Sequence, residues 1–325
     1  MTLALATMIV GPLANGDWIT HSQPIMGTQL KIELESSSAS EAQTCIADAV
    51  AEMQRIESQM SPWIEASEIS RINRDAAILS VPISAELETL LIRAQALSEL
   101  SDGAFDITFA SVGSRYDYRR GIRPDAASIA STLPAINYRG LQLANRRIRF
   151  SHPGTRIDLG GIAKGYAVDR AIGKLRDCGI RNAYISAGGD SRILGSRGNR
   201  PWIIGVQHPR NADAVLIRLP LTNSAISTSG DYERFFMMDG QRVHHIIDPD
   251  TGHSAEKSMS ATVVGAEATT TDGLSTTLFV LGPQKGLRLI DQIPGYDAII
   301  IDAQGRVSYS SGLQSAAAKP AIDTD

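Results

Sequence analysis

Cysteine is nearly absent from this chain: its 325 residues hold two, Cys45 and Cys178. There is no Cys-x-x-Cys pair, so neither a thiolate zinc site nor a dithiol redox centre organises the protein. Both cysteines fall at apolar positions of helix-like segments. They read as two buried thiols, with a disulfide left open. The chain also lacks a Gly-x-Gly-x-x-Gly joining a first strand to a helix, a P-loop, a nucleophile elbow and a metalloprotease signature. A Rossmann unit is therefore not supported. Positive charge is not in excess, with 31 Lys and Arg against 35 Asp and Glu and a net charge of -4. That balance gives no electrostatic case for a nucleic-acid partner. The cluster Arg119, Arg120 and Arg123 reads as a solvated loop. No apolar run reaches the roughly 20 residues of a membrane span. Residues 1–14, nearly all apolar and uncharged, resemble the middle of a secretory leader without its basic start. A disordered apolar terminus is the alternative.

What is present is an ordinary globular composition, 43% hydrophobic and 20% charged, long enough for a substantial core. Leu30, Ile32 and Leu34 alternate with polar residues, which predicts a half-buried strand over 29–35. Ser38 and Glu41 form a capping box, and apolar residues recur from Cys45 to Ile56 at helical spacing, so 41–60 reads as a helix. Ser67–Asn73 reads as a helical turn and 78–83 as a strand. Ser84 caps a helix that runs to Leu100. Segments 139–143 and 147–150 pair as a hairpin, as do arms on either side of Asp239-Gly240. Strands are expected at 191–195, 202–207, 215–219 and 260–265. Two helices are expected at 269–281 and 283–293, then a last hairpin from 297 to 310. Strand pairs on short turns with inserted helices predict an α+β fold with largely antiparallel sheets. The expected organisation is a leader-like segment over 1–17, a single domain over 18–312 and a disordered tail over 313–325.

The stretch Arg156–Asp190 stands out. An apolar run meets Gly160-Gly161, a helix follows with Lys164 near its start, and Gly188-Gly189 closes the unit. Glycines admit close backbone approach, and a helix start offers N–H groups to an anion, so this stretch reads as a cradle for a phosphorylated ligand. Lys164 near the helix start is placed to pair with a phosphate, with Asp169 five residues on; solvated surface charges explain both equally well. Asp272 and Thr276 share a face of a predicted helix, an oxygen-only pair that suits Mg²⁺. A capping Asp and a core-facing Thr explain them equally well. Gly273 inside that helix has no account from sequence beyond close packing. His244 and His245 fall on a predicted strand, so one is expected to face solvent and the other a cleft or the core. Trp63, in a Ser-Pro loop, is placed to stack on an aromatic ring.

These pieces together resemble the ApbE family of FAD:protein FMN transferases. The ordered set is Met26-Gly27-Thr28; Met60-Ser61 with Trp63 and Ser67–Asn73; Asp102–Asp106; Asp158–Tyr166 with Asp169; Gly188-Gly189-Asp190; Ser227–Tyr232; His245–Pro249 with Thr251-Gly252; and Asp272 with Thr276. The resemblance implies a two-lobed α+β fold with FAD in the cleft. It implies that Met26, Trp63, Ala104, Phe105, Asp106, Lys164, Asp169, Gly189, His245 and Ile247 line the flavin site. It further implies Mg²⁺ on Asp272, Thr276 and the Ala163 carbonyl, with Ser275 a less certain ligand. The reaction implied splits the FAD pyrophosphate and moves FMN onto a Thr or Ser hydroxyl of a flavin-accepting redox subunit, releasing AMP. His245 and Asp272 are the expected catalytic residues, and His245 the expected proton acceptor. The setting implied is the periplasm or cell envelope, with peripheral association with the inner membrane through the target. FAD hydrolysis and non-catalytic FAD binding are the alternative functions. The chain departs from the family pattern in four places. Trp63 replaces a common Tyr, Gly273 replaces Ala after Asp272, Arg115–Arg120 lacks a Trp-Gly pattern, and the leader has no lipoprotein cysteine.

Overall fold

A computed structural model describes residues 16–317 of the chain. The leader-like segment falls outside the described residues except for its last two, and Asp17 already belongs to a strand. Strands β1 (Asp17–Ile25) and β2 (Thr28–Ser36) form an antiparallel hairpin around Met26 (φ 50°) and Gly27 (φ 70°). Helix α1 (Ala39–Met60) follows, its start capped by the Ser38 side chain. Next come α2 (Glu68–Asp75), β3 (Val81–Pro82) and α3 (Ala85–Leu100), then α4 (Ala110–Gly113) and α5 (Ala126–Thr132). The hairpin β4 (Leu141–Ala144) and β5 (Arg147–Phe150) precedes α6 (Ala163–Asp177), β6 (Ala183–Ala187) and β7 (Asp190–Leu194). Beyond these lie β8 (Trp202–His208), β9 (Asn211–Leu221), β10 (Ala225–Gly230), β11 (Phe235–Met238), β12 (Gln241–His244) and β13 (Ser258–Gly265). The chain closes with α7 (Ala268–Ile290), β14 (Asp297–Asp302), β15 (Val307–Tyr309) and α8 (Ser311–Ala317).

The predicted α+β fold with antiparallel sheets is what forms. Eight strands build one sheet in the order β1-β2-β6-β7-β10-β13-β14-β15, and every neighbouring pair is antiparallel. Alternation along the strands supplies both faces. Leu30, Ile32, Leu34, Ile185 and Ala225 join a core with α1, α2, α3 and α6. Ala261, Val263, Ala298 and Ile300 meet α7. Ile226 and Ile299 point the other way, onto the separate hairpin of β8 and β9. The sheet is therefore covered on both faces.

Several elements depart from expectation. β1 was not foreseen: it is a polar edge strand in which Pro24 is tolerated because an edge can lose one donor. β10, small and polar in sequence, is a central strand. Its hydroxyls are satisfied by facing hydroxyls: Ser227 with Thr271 at 2.8 Å, Thr228 with Thr262 at 2.8 Å and Ser229 with Ser275 at 2.9 Å. The expected strand 78–83 shrinks to β3. The two expected C-terminal helices are joined across Gly282, whose φ of 74° breaks α7 just before Pro283. Helix α8 begins where the ordered chain was expected to end, and residues 318–325 lie outside the described residues.

The two cysteines are not free thiols. Cys45 of α1 and Cys178 at the end of α6 form a disulfide across 133 residues of sequence. Two side chains in separate apolar contexts gave no sign that their helices pack together. A nearby ion network also holds these elements: Arg55 bridges Glu52 and Glu86, Arg170 reaches Glu52 at 3.0 Å, and the Tyr166 hydroxyl donates to Glu86 at 2.7 Å. Arg55 first, against the opposing effect of burial, holds the Glu52 carboxyl down at about 2. Closing so long a loop is worth about 2–5 kcal/mol in small proteins. Reduction, or Cys45→Ser, is expected to lower the unfolding free energy by an amount in that range, read as a fall in the denaturant midpoint at unchanged slope; an unchanged midpoint under dithiothreitol would contradict a stabilising role for the disulfide.

Candidate functional site

Two helix starts meet face to face, and neither is capped by its own residues. Ile162 offers no side-chain cap to α6, and Glu267 offers none to α7. Each helix caps the other instead. Asp272 of α7 accepts the Gly165 N–H through Oδ2 at 2.9 Å. Asp169 of α6 accepts the Ala268 N–H at 2.9 Å, the Thr269 N–H at 2.8 Å and the Thr269 hydroxyl at 2.7 Å. Orphan N–H donors at a helix start need such acceptors, and a carboxylate there also meets the positive end of the helix dipole. The crossing is close enough to require glycine. A methyl group on Gly165 would run into the Ala268 carbonyl and lie 2.7 Å from Asp272 Cβ. Gly273 is explained too, since a methyl there would collide with Leu97.

Lys164 is bonded to the buried Asp190 and lies 3.8 Å from Asp272 Oδ1. It is thus an internal counter-ion to two buried carboxylates rather than the free phosphate ligand expected from sequence. Burial first, then the neighbouring Asp190, pushes the Asp272 carboxyl above its usual range, and Lys164 pulls it back. Burial opposes charge on Lys164, but Asp190 and Asp272 outweigh it and hold the ammonium above its ordinary value.

Thr276 Oγ1 is 3.1 Å from Ser229 Oγ. A methyl on Gly161 would lie 3.3 Å from the same Thr276 oxygen, and the Gly161 carbonyl is 3.9 Å from the position a methyl on Gly273 would take. Gly161 thus lies against α7 near Thr276. Ala163, expected to supply a carbonyl here, follows as the first residue of α6. Among the described residues no three His, Cys, Asp or Glu side chains gather as a metal group. One carboxylate, one hydroxyl and one carbonyl are a hard oxygen set, which fits Mg²⁺ by donor chemistry.

The other expected residues divide by role. Asp106 is turned inward: Oδ1 accepts the Thr108 N–H at 2.7 Å and hydroxyl at 2.6 Å, and Oδ2 the Tyr138 N–H at 2.9 Å. Its burial raises its pKa, and its contribution is to shape the 104–108 segment. Ala104 is half-buried, and Phe105 is buried with its ring near Gly161. Met26 occupies the β1–β2 turn. Gly189 sits where a side chain would strike the Thr228 carbonyl. Ile247 packs in a small cluster with Val112, Tyr116, Ile129 and Val243. Trp63 is 82% exposed, free to cover a ligand.

The histidines do not divide as expected. Both lie inside, because β12 ends at His244 and strand alternation ends with it. His244 Nε2 is 2.9 Å from the Ala255 carbonyl, and its ring meets Phe279 edge-on at 5.4 Å, a structural arrangement. His245 is half-buried, and its Nδ1 is enclosed with no partner. Burial, followed by the positive charges of Arg234, His244 and Lys164, pushes it down to about 3. Some accessible area on a ring otherwise surrounded by protein describes a cleft wall.

Sequence reasoning missed Arg234. Its backbone carbonyl accepts the His245 N–H at 3.1 Å, and its Nη2 is 3.3 Å from where a methyl on Gly27 would stand. Among the described residues it has no carboxylate partner within salt-bridge distance. Asp158, half-buried, feels its charge and accepts the Gly160 N–H at 2.7 Å. A lone Arg between Glu233 and Phe235 carries no sequence signal, because the hairpin base alone brings it to the cleft. The result is an antiparallel α+β protein in which two opposed helix starts gather Asp169, Asp272, Asp190 and Lys164.

Comparison with known proteins agrees with that class. The family model described as the ApbE family matches residues 26–300. A protein of Vibrio cholerae named FAD:protein FMN transferase is 29% identical over 304 residues, covering 90% of this chain and 91% of its own length. One of Treponema pallidum with the same name is 28% identical over 315 residues, covering 90% and 87%. The crystal structure of the ApbE protein from Thermotoga maritima superposes with a TM-score of 0.85 at 34% identity, covering 92% of this chain and 99% of that one. The flavin transferase ApbE from Vibrio cholerae superposes with a TM-score of 0.83 at 26% identity, covering 92% and 99%. This chain belongs to the ApbE family.

Two outcomes check the site's physics. Gly165→Ala is expected to destabilise the protein by about 1–3 kcal/mol, the usual effect of overpacking, and chemical denaturation would reveal it. For His245, the unfolded ring titrates near 6.5 and the folded one about 3. Its contribution to stability is present above about pH 6.5 and is lost as pH falls toward 3, at up to about 1.4 kcal/mol per pH unit. His245→Gln should flatten that part of the stability–pH curve, and an unaltered curve would contradict the enclosed neutral ring.

Proposed function

We propose that the protein is a Mg²⁺-dependent FAD:protein FMN transferase. The observation that carries this reading is the buried Asp272 at the start of α6, with Lys164 3.8 Å from its Oδ1 and Gly161 against Thr276 one turn on. The His245 ring stays neutral, and in this reading its other nitrogen, not the enclosed Nδ1, meets the attacking hydroxyl and takes its proton. Family membership and the names of the relatives supply the reaction.

In this reading FAD lies in the cleft with Trp63 over its ring system and Met26, Phe105 and Ile247 shaping the wall. Arg234, a planar donor fork suited to phosphate, holds the pyrophosphate. The Thr or Ser hydroxyl of a flavin-accepting redox subunit attacks the FMN-side phosphorus. The new P–O bond forms as the bond to the AMP phosphate breaks, AMP leaves, and the hydroxyl proton passes to His245. Asp272, Thr276 and the Ala163 carbonyl would hold Mg²⁺, which supplies neutralisation of pyrophosphate charge. Asp190 and Lys164 set the charge around that oxygen set. We place the protein in the periplasm or cell envelope, in peripheral contact with the inner membrane through its target. The disulfide supports an oxidising compartment. Among the described residues no helix is long and apolar enough to cross a membrane.

The test incubates the protein with FAD, Mg²⁺ and a flavin-accepting redox subunit, and reads covalent flavin fluorescence in a denaturing gel. A fluorescent target band is expected. AMP and free FMN without a band would replace transfer with hydrolysis, and intact FAD would leave a binding protein. Asp272→Asn keeps an acceptor for the Gly165 N–H and is expected to fold yet lose turnover, as is chelation of the metal; full activity in either case would sink the metal assignment. His245→Gln should lower kcat by about 10²–10⁴, and Arg234→Ala should chiefly raise KM for FAD.

A further inference from the structure

The hairpin of β11 and β12 rises from the site, with Arg234 just before its first strand and His245 just after its second. Its sequence begins Phe235-Phe236-Met237-Met238. Phe236 and Met238 pack inward beside Tyr118, Val243 and Ile247. Phe235 and Met237 point the other way and are 38% and 58% exposed. Among the described strands, β11 and β12 pair only with each other. The inward residues already give the hairpin its packing, so its fold does not require the outward pair. The Arg242 guanidinium lies over one face of the Phe235 ring at 3.8 Å; the area still exposed on Phe235 and Met237 marks a surface that meets something, and Met suits adaptable contact.

A loop with the opposite charge from the rest of the chain borders this hairpin. Gly121 lies against Phe236, and Arg119, Arg120, Ile122 and Arg123 around it are exposed. Among the described residues, none of these three arginines is in a salt bridge. The loop's own carboxylates are turned to backbone: Asp117 accepts the N–H groups of Arg119 at 3.1 Å and Arg120 at 3.0 Å, and Asp125 that of Ser128 at 2.7 Å. Arg119, Arg120 and Arg123 outnumber the loop's Asp117 and Asp125, so in a chain of net charge -4 the loop is a local electrostatic reversal, reached from the outward pair around the edge of the hairpin at Gly121 and Phe236.

We infer that this surface docks an acidic, partly apolar segment of the protein that accepts the transferred group. The inference rests on the transferase reading for the occupant being a protein; the charge and apolar character come from the surface itself. Carboxylates of the segment meet Arg119, Arg120 and Arg123, and its apolar side chains cover Phe235 and Met237. The hairpin base then delivers the acceptor toward His245. A short segment fits better than an anionic bilayer, because Glu233 and Asp239 on the same hairpin are avoidable by a segment but not by a charged plane.

The experiment uses two fluorescein-labelled peptides of equal length, one alternating Asp and Leu, the other Lys and Leu, with binding read by anisotropy on the whole protein. The acidic peptide is expected to bind at least about tenfold more tightly, with affinity falling as salt rises through the range that screens surface charge. The combined variant Arg119→Glu, Arg120→Glu, Arg123→Glu should abolish that preference, and Met237→Ser should weaken binding of the acidic peptide. In both variants the melting temperature and AMP release from FAD without acceptor should stay unchanged. Equal binding of the two peptides, or a preference that survives the triple variant, would overturn the inference. So would binding to phosphatidylglycerol vesicles that depends on the same arginines when neither peptide is preferred. A protein that cleaves no FAD would remove the transferase reading, while the anisotropy result would still decide whether the surface selects acidic segments.

Discussion

The whole site depends on two helices that cap each other. α6 and α7 are 90 or more residues apart in sequence, and each begins without a side-chain cap of its own. A missing cap costs about 1 kcal/mol, and a carboxylate at a helix start adds about 0.3–1 kcal/mol. Those sums are small beside the difficulty of burying Asp272, and the caps are what make that burial tolerable. The carboxylate receives an N–H and a dipole from α6 and an ammonium from Lys164. Glycine at 165 lets the backbones approach closely enough for this exchange. If either helix shifts, both lose their caps and a charge is left buried without partners.

The sheet fixes the third member of the arrangement. The turn between β6 and β7 places Asp190 under Lys164, and Gly189 in that turn leaves space only for the Thr228 carbonyl. β10 carries hydroxyls where a central strand usually carries branched apolar residues. Ser227 and Ser229 bond to Thr271 and Ser275 of α7, so the helix sits low on the sheet with its polar face satisfied. A larger apolar residue there would raise α7 and move Asp272 away from Gly165. The strand's polarity thus belongs to the placement of the site.

Legibility followed the range of the interactions. α1 and α3 were readable because a cap and a 3.6-residue apolar period lie within one segment, and the β4–β5 and β11–β12 hairpins because their turns are local. β10 was obscure because its pairing partners and its hydroxyl partners are supplied by distant elements. The disulfide, the mutual caps and the approach of Arg234 to Gly27 are likewise contacts between segments that share no local pattern. Lys164 was legible as a charge beside the Asp272 site, but its direct partner was not, since Asp190 is 26 residues away.

Asp272 also resolves an apparent conflict between stability and binding. A residue that locks two helices seems a poor choice for a ligand site, because recruiting it for a cation should unlock them. Its two oxygens divide the work. Oδ2 accepts the Gly165 N–H, while Oδ1 faces Lys164 at 3.8 Å, beyond a direct hydrogen bond. Oδ1 is thus the oxygen that a cation would find uncommitted to the cap, with Lys164 beside it and engaged by Asp190. The reciprocal caps therefore hold Oδ1 in place by fixing the orientation of the carboxylate through its partner oxygen. On this geometry the rigidity of the helix pair and the availability of one carboxylate oxygen are the same structural fact.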